Sequence, residues 1–237
     1  MDKGRDKISV ILPFFNEEKT LESIVKRVLK QKIVGEVVLV DDGSKDSSLD
    51  IAKKIKSLNK RNSRIIKIYK HTKNKGKGAA MRTGLLKASG DFVIFQDADL
   101  EYDPSDYRKL IMPLQKKGAD FVIGNRWKNH TGYFLAQVGN ILLTSIIDIL
   151  FFSKFMDSYC GYKAASLNLL KGLKLESNGF EIEAEITTKV ALKKYRVKEV
   201  NIKYNPRKYH EGKKINVKDV FKGIFKILEI RFLVSNV

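Results

Sequence analysis

The sequence predicts an α/β fold: a doubly wound, mostly parallel sheet with helices on both faces. Three observations carry this. Short apolar runs rich in β-branched residues recur at 8–12, 36–40, 64–69, 93–95 and 120–124. Each is followed by a stretch whose apolar residues fall three and four apart, the spacing of one helix face. The runs are almost unbroken in apolar residues, as strands covered on both faces are. Strands and helices in alternation are joined most economically as a parallel sheet between helical layers.

The elements follow in order. Residues 8–12 read as the first strand, ended by Pro13. Asn16, Glu17 and Glu18 then precede Leu21, Ile24, Val25, Val28 and Leu29 on one helical face, with acids in the first turn where the helix dipole favours them. The second strand, 36–40, runs into Asp41, Asp42, Gly43 and Ser44, and a helix over 48–58 follows with Leu49, Ile51, Ala52, Ile55 and Leu58 in helical register. The third strand leads to His71 and a loop of lysines and glycines ending at Gly78, which opens the next helix. Glycines at a helix start present N–H groups to phosphate in some proteins and form ordinary turns in others. The spacing here is neither a P-loop nor the three-glycine dinucleotide motif.

The fourth strand, 93–95, ends in Gln96-Asp97-Ala98-Asp99-Leu100-Glu101. Pro104 suits the first position of the helix that carries Tyr107, Leu110, Ile111 and Leu114. The fifth strand ends at Asn125-Arg126-Trp127. Beyond it, 134–155 has a broad apolar face and is either a core helix or an amphipathic helix in a membrane interface. Gln137, Asn140, Asp148 and Lys154 interrupt it too often for a spanning segment. A charged helix over 181–195, a half-exposed strand over 197–204, a cation-dense loop after Pro206 and a basic helix over 217–233 with a wide apolar face complete the chain. No internal repeat or low-complexity linker divides it.

The chain of 237 residues is long enough for a substantial core, and its formal charge of +19 predicts attraction to anions: nucleic acid, phosphorylated molecules or an anionic membrane. The lysines are spread throughout, which equally describes a solvated lysine-rich surface. Cys160 is the only cysteine, so neither an intrachain disulfide nor a cysteine-rich zinc site can form, and a reducing compartment is expected. The charged N-terminus is unlike a secretory signal. The expected location is cytoplasmic, with peripheral contact at the cytoplasmic face of a membrane.

Charge gathers at the strand ends. Asp97 and Asp99 stand one residue apart just past a buried strand, where open α/β sheets bind ligands, and their hard oxygens suit Mg²⁺ or Mn²⁺. Asp-x-Asp alone is common and also describes a polar loop. Its company is more specific: Asp41 and Asp42 end the second strand, and Arg126 ends the fifth.

With these residues in view, the chain resembles family 2 of the glycosyltransferases with the GT-A fold, and within it the polyprenyl-phosphate sugar synthases of the dolichol-phosphate mannose or glucose type. The resemblance rests on Leu12-Pro13-Phe14-Phe15-Asn16-Glu17-Glu18, Val40-Asp41-Asp42-Gly43-Ser44, Asn74-Lys75-Gly76-Lys77-Gly78-Ala79-Ala80, Gln96-Asp97-Ala98-Asp99 and Gly124-Asn125-Arg126, five segments in the family's order. It implies one GT-A domain over 1–237, with a nucleotide-sugar half at 1–127 and an acceptor half with interfacial helices at 128–237. It implies that Pro13, Phe15, Glu17 and Asp42 hold the donor nucleoside, that Ala98 lies against the nucleotide, and that Asp97, Asp99 and Glu101 form the metal side of the site. Some relatives have glutamine at the position of Glu101. Arg126 resembles the arginine that faces the donor phosphate and sugar, and Asp157 to Lys163 the segment that follows the interfacial helix. Arg207, Lys213 and Lys214 resemble the cationic acceptor loop, although the usual Arg-x-x-Gly-x-Ser-Lys spacing is altered here, with Gly212 displaced and Lys213 in place of serine.

The activity so implied is a metal-dependent, inverting transfer of a hexose from a nucleoside-diphosphate sugar to a polyprenyl phosphate. The alternative acceptor is a glycan or protein in cell-surface polysaccharide synthesis. An anionic lipid phosphate needs no strong general base; Asp157 is the best-placed base in the second half of the chain, and its sequence context favours a helix-end or turn aspartate. The expected partners are the donor, the lipid acceptor, a membrane surface and a second copy of the chain, the apolar helices serving either membrane or dimer. Nucleic acid is excluded because its binding signatures are missing and the acidic strand ends would repel phosphate without metal.

Overall fold

The computed structural model describes residues 7–59, 65–126, 134–207 and 217–234. One sheet of seven strands organises them. The strands are β1 (Ile8–Phe14), β2 (Val34–Asp41), β3 (Ile66–Lys70), β4 (Phe92–Phe95), β5 (Phe121–Asn125), β6 (Lys163–Ser166) and β7 (Val197–Asn201), in the spatial order β3-β2-β1-β4-β6-β5-β7. β1 pairs in parallel with β2 and β4, β2 with β3, and β5 with β7. β6 is antiparallel to both β4 and β5. Two reversals cancel, so β5 and β7 point the same way as β4, and the carboxyl ends of six strands share one edge.

The five strands expected from apolar runs are present, and the half-exposed strand expected over 197–204 is β7, ending at Asn201. β1 is buried along its whole length, and Leu12 faces Leu39 while Val10 lies between Val37 and Ile94. Each such side chain removed from water contributes about 1.5–3 kcal/mol, which outweighs the weak pairing preferences of single residues. Pro13 does not end β1; it pairs with Val40 as the last residue but one. β6 is the strand that the apolar pattern does not show. Lys163-Ala164-Ala165-Ser166 lacks β-branched residues, and its extended form comes from the slot between β4 and β5.

The helices are α1 (Leu21–Leu29), α2 (Ser48–Leu58), α3 (Lys77–Lys87), α4 (Tyr107–Gln115), α5 (Phe134–Phe151), α6 (Leu167–Gly172), α7 (Ile182–Leu192) and α8 (Val217–Glu229), the last continuing as a π-helical turn over Ile230–Val234. In α1 the buried residues are Leu21, Ile24, Val25 and Val28, the predicted stripe. A short 3₁₀ turn, Pro104–Asp106, precedes α4, with the Asp103 carboxylate accepting from the Ser105 amide.

Helix α7 departs from expectation. Its charges suggest one wet face, yet Glu183, Glu185 and Lys189 are all buried along with the apolar residues. Each is paired: Glu185 with Lys189 at 2.6 Å, and Glu183 with Lys163 of β6 at 2.5 Å. Helices α5 and α8 pack beside α7 in a second apolar cluster built from Leu143, Ile147, Ala184, Ala191 and Ile227. Two of the polar interruptions of α5 have structural partners. Asn140 reaches Asp157, and Asp148 accepts from the Phe155 amide and the Ser153 hydroxyl beyond the helix end. No helix among the described residues is long and apolar enough to cross a membrane.

Candidate active site

The carboxyl edge of the sheet gathers the predicted residues from distant parts of the chain. Beyond β4, Asp97 and Asp99 each face a cation. Lys77 Nζ, from the first turn of α3, lies 2.7 Å from Asp97 Oδ1 and 3.0 Å from Glu183 Oε1. Arg207 Nη2 lies 2.9 Å from Asp99 Oδ2, and the same guanidinium reaches Glu17 at 3.3 Å. The other oxygen of Asp97 rests on Gly161: a Cβ there would stand 2.6 Å from Oδ2, so the close approach requires glycine.

Burial, then repulsion from Asp97 and Glu101, raises the Asp99 carboxyl to about 7, with Arg207 opposing. A divalent cation would relieve that repulsion, and the donors are all hard oxygens. Among the described residues no three acids, histidines or cysteines converge as a complete metal cage. One or two carboxylates completed by substrate phosphates and water are nevertheless the usual way Mg²⁺ is held. Asp97 and Asp99 therefore fit such a metal. Glu101 is differently placed: Oε1 accepts from the Arg207 amide at 3.0 Å and Oε2 from the Tyr204 hydroxyl at 3.1 Å.

Between β1 and β2 lies the predicted nucleoside side. Pro13 is buried at the end of β1, Phe15 is half-buried just beyond it, and Glu17 is buried with its amide donating to Ser48 Oγ. Asp42 is almost fully buried. It accepts from the amides of Lys75 and Gly76 at 2.9 and 2.7 Å and lies 2.7 Å from His71 Nδ1, whose Nε2 meets Thr83. Asp42 thus anchors the loop that opens α3. Gly76 has φ of 99°, and a Cβ would run into the Asn178 carbonyl oxygen. That carbonyl accepts from the Ala79 amide. The glycines of this loop admit the 177–179 backbone against the helix start, the ordinary-turn reading of the motif. Ala98 is buried beside the two carboxylates.

At the end of β5, Arg126 is clamped. Its Nε and Nη2 donate to Asp157 Oδ2 and Oδ1 at 2.7 and 2.6 Å, its amide donates to the same carboxylate, and Asn140 adds a fourth hydrogen bond. The guanidinium lies 5.3 Å over the Tyr204 ring and 3.4 Å from the Tyr102 hydroxyl. Burial disfavours its charge, but Tyr102 and Asp157 more than compensate and hold its pKa well above the ordinary value. Tyr102 stacks on Tyr162 at 4.6 Å and accepts from the Gly161 amide, forming an aromatic floor under this corner.

Pro13, Phe15, Glu17, Asp42, Asp97, Ala98, Asp99, Glu101, Arg126 and Arg207 thus line one sheet edge. Lys213 and Lys214 lie outside the described residues. The pattern of the sequence does not single out Lys77 as the partner of Asp97, nor Lys163 and Glu183 behind it. Their only signal is the lysine of the glycine loop, because pairing across α3, β6 and α7 is visible only in three dimensions.

The model of Glycosyl transferase family 2 matches residues 9–170, more than half of the chain. The chain belongs to this family. Related sequences match most of the chain's length. The UDP-N-acetylglucosamine–dolichyl-phosphate N-acetylglucosaminyltransferase of Methanococcus voltae is 31% identical over 94% of this chain and 96% of its own. The dolichol-phosphate mannosyltransferase of Pyrococcus furiosus is 33% identical over 77% of this chain and 53% of its own. Among solved structures, glucosyl-3-phosphoglycerate synthase from Mycobacterium tuberculosis, with Mn²⁺, UDP and glucosyl-3-phosphoglycerate, superposes with a TM-score of 0.71 at 22% identity, over 95% of this chain and 80% of its own. The fold is GT-A, and this family 2 member is a glycosyltransferase.

Proposed function

We propose that the enzyme moves a sugar, with inversion, from a nucleoside-diphosphate sugar to a polyprenyl phosphate. The observation that carries this reading is that, among the described residues, five acids at the site are all paired. Asp97 faces Lys77, Asp99 and Glu17 face Arg207, Asp157 faces Arg126, and Glu101 accepts from Tyr204 and Arg207. With Asp97 and Asp99 assigned to the metal, and Glu17, Glu101 and Asp157 to the arginines and the 204–207 segment, the reading leaves none of these carboxylates as the base for a hydroxyl acceptor. A phosphate acceptor is already anionic and needs no such base. The names of the relatives in Methanococcus voltae and Pyrococcus furiosus favour the same acceptor class.

In the transfer, an oxygen of the acceptor phosphate forms a bond to the anomeric carbon as the bond from that carbon to the diphosphate breaks, and the nucleoside diphosphate leaves with the electron pair. A bound Mg²⁺ or Mn²⁺ supplies neutralisation of the charge that grows on the leaving group. Asp97 and Asp99 would hold it. Arg126, fixed by Asp157, and Arg207 place two permanent cations at the same edge, and one well-aimed donor of this kind contributes on the order of 3 kcal/mol to the transition state. Pro13, Phe15, Glu17 and Asp42 form the nucleoside side.

The lipid acceptor calls for a membrane-facing surface, and the exposed side chains of α5 and α8 support placing it there. Ile149 and Phe152 at the end of α5, and Phe221, Phe225, Phe232 and Leu233 in and after α8, are exposed. Lys218 and Lys222 are exposed among them. Aromatic side chains beside lysines match an anionic bilayer surface, each lysine adding about 1 kcal/mol near such a surface.

Thermal unfolding with UDP- and GDP-sugars, with and without Mn²⁺ or Mg²⁺, tests donor and metal together. A ligand at about a hundred times its dissociation constant adds about 2.7 kcal/mol. The expected result is one nucleotide class that stabilises the protein only with metal. Stabilisation indifferent to metal, or none by any nucleotide sugar, would overturn the reading.

A further inference from the structure

The Glu101 side chain sits at the junction of two segments far apart in sequence. The Asn205 amide donates to the Glu101 carbonyl at 2.9 Å, the Tyr204 hydroxyl to Oε2 at 3.1 Å, and the Arg207 amide to Oε1 at 3.0 Å. A bridge between Tyr102 and Tyr204 ties the same two segments side by side. The contacts then close a ring of three residues. The Glu101 amide donates to Asp99 Oδ1 at 3.1 Å, Glu101 Oε1 accepts from the Arg207 amide, and Arg207 Nη2 returns to Asp99 Oδ2 at 2.9 Å. Leu100, between the two acids, has φ of 66°, a left-handed turn that aims both toward Arg207.

From this ring we infer that Glu101 is a positioning residue for Arg207, fixing its backbone so that its guanidinium meets Asp99 and Glu17. Oε1 accepts from the Arg207 amide and Oε2 from the Tyr204 hydroxyl, so Glu101 and the 204–207 backbone are fixed relative to each other. Arg207 follows Pro206, and the contacts with Glu101 set where its long side chain begins. A displacement of about 1 Å in a charged group at a reacting centre costs on the order of a hundredfold in rate, which is what such an anchor prevents. The inference rests on the reading of Asp97 and Asp99 as the metal and diphosphate side of the site.

Three variants test it: Glu101→Ala, Glu101→Gln and Tyr204→Phe. The amide side chain of Glu101→Gln would keep an oxygen for the Arg207 amide and an N–H for the Tyr204 hydroxyl, so the anchor survives while the charge is lost. Amide hydrogen exchange of the ligand-free protein reads the anchor itself. Exchange at Arg207 should accelerate about tenfold or more in Glu101→Ala and stay near wild type in Glu101→Gln. With the donor that the thermal screen selects, kcat should fall about thirtyfold or more in Glu101→Ala, less in Tyr204→Phe, and by about threefold at most in Glu101→Gln, with KM for the donor little changed. Unchanged Arg207 exchange in Glu101→Ala overturns the inference, as does a fall in kcat as large in Glu101→Gln as in Glu101→Ala. If wild-type protein binds Mn²⁺ with neither UDP nor GDP, the metal reading of the site fails, while the exchange result still decides whether Glu101 anchors Arg207.

Discussion

Arg126 and Asp157 form a two-pronged ion pair, Nε to Oδ2 at 2.7 Å and Nη2 to Oδ1 at 2.6 Å, with Asp157 almost wholly removed from solvent. The geometry makes Asp157 the holder of an arginine, not a proton acceptor. Asp157→Asn keeps the shape but loses one prong and the charge. We expect kcat to fall about a hundredfold and the protein to become less stable, since breaking a buried pair costs about 3–5 kcal/mol. The pH profile separates the two roles: the residual activity should keep the wild-type shape, whereas loss of a general base would remove the acid limb.

Gly161 is the surface on which Asp97 rests. Gly161→Ala would put a methyl group 2.6 Å from Asp97 Oδ2 and 3.2 Å from the Tyr102 ring, so the carboxylate must turn away. Metal-dependent nucleotide binding should weaken by about tenfold or more, measured by calorimetry with Mn²⁺ and the selected nucleotide. Unchanged binding would mean that Asp97 has no part in holding the metal.

Acid sensitivity is built into Glu36, a buried residue of β2 far from the candidate site. Burial alone would raise its pKa, but Lys67 and the hydrogen bonds from Ser9 and Ser89 outweigh it and bring it to about 2. A carboxyl lowered on folding stabilises the protein above its ordinary value of 4.5, and that contribution is lost as pH falls through 4.5 toward about 2. Urea unfolding across this window should show stability dropping with pH, and Glu36→Gln should be less stable at neutral pH with a shallower drop. Glu183, also held at about 2 because Lys163 and Lys77 overcome its burial, keeps part of the slope in that variant.

The outer side of α8 makes a prediction about surfaces. Phe221→Ser with Phe225→Ser should reduce cosedimentation with phosphatidylglycerol vesicles about tenfold or more while leaving thermal stability nearly unchanged, because both rings are exposed. If the double variant instead dissociates a dimer in light scattering and binds vesicles normally, these rings serve a second copy of the chain.

How much of this was legible in the sequence depends on distance along the chain. The strands β1 to β5 and the stripe of α1 show in apolar periodicity, which is local. So do the acidic strand ends, because the order of a parallel sheet places successive strand ends on one edge. β6 escapes notice because its alanines carry no strand preference of their own. The buried face of α7 escapes because Glu183 and Lys189 look like solvent residues until their partners from β6, α3 and the helix itself are seen. Arg207 was identifiable by resemblance, but its anchor at Glu101 lies 106 residues away in sequence. Nothing local relates the two.

The most direct measurement of the central claim follows labelled sugar. Wild-type protein and Asp99→Ala are incubated with Mn²⁺, the nucleotide sugar that stabilises the enzyme, and a polyprenyl phosphate in detergent, and the organic extract is counted before and after mild acid. The account predicts wild-type label in the organic phase, released by mild acid, abolished by chelation and lowered by about a hundredfold or more in Asp99→Ala. Label that enters only water-soluble glycan, or lipid-linked label indifferent to chelation and to Asp99, would contradict it.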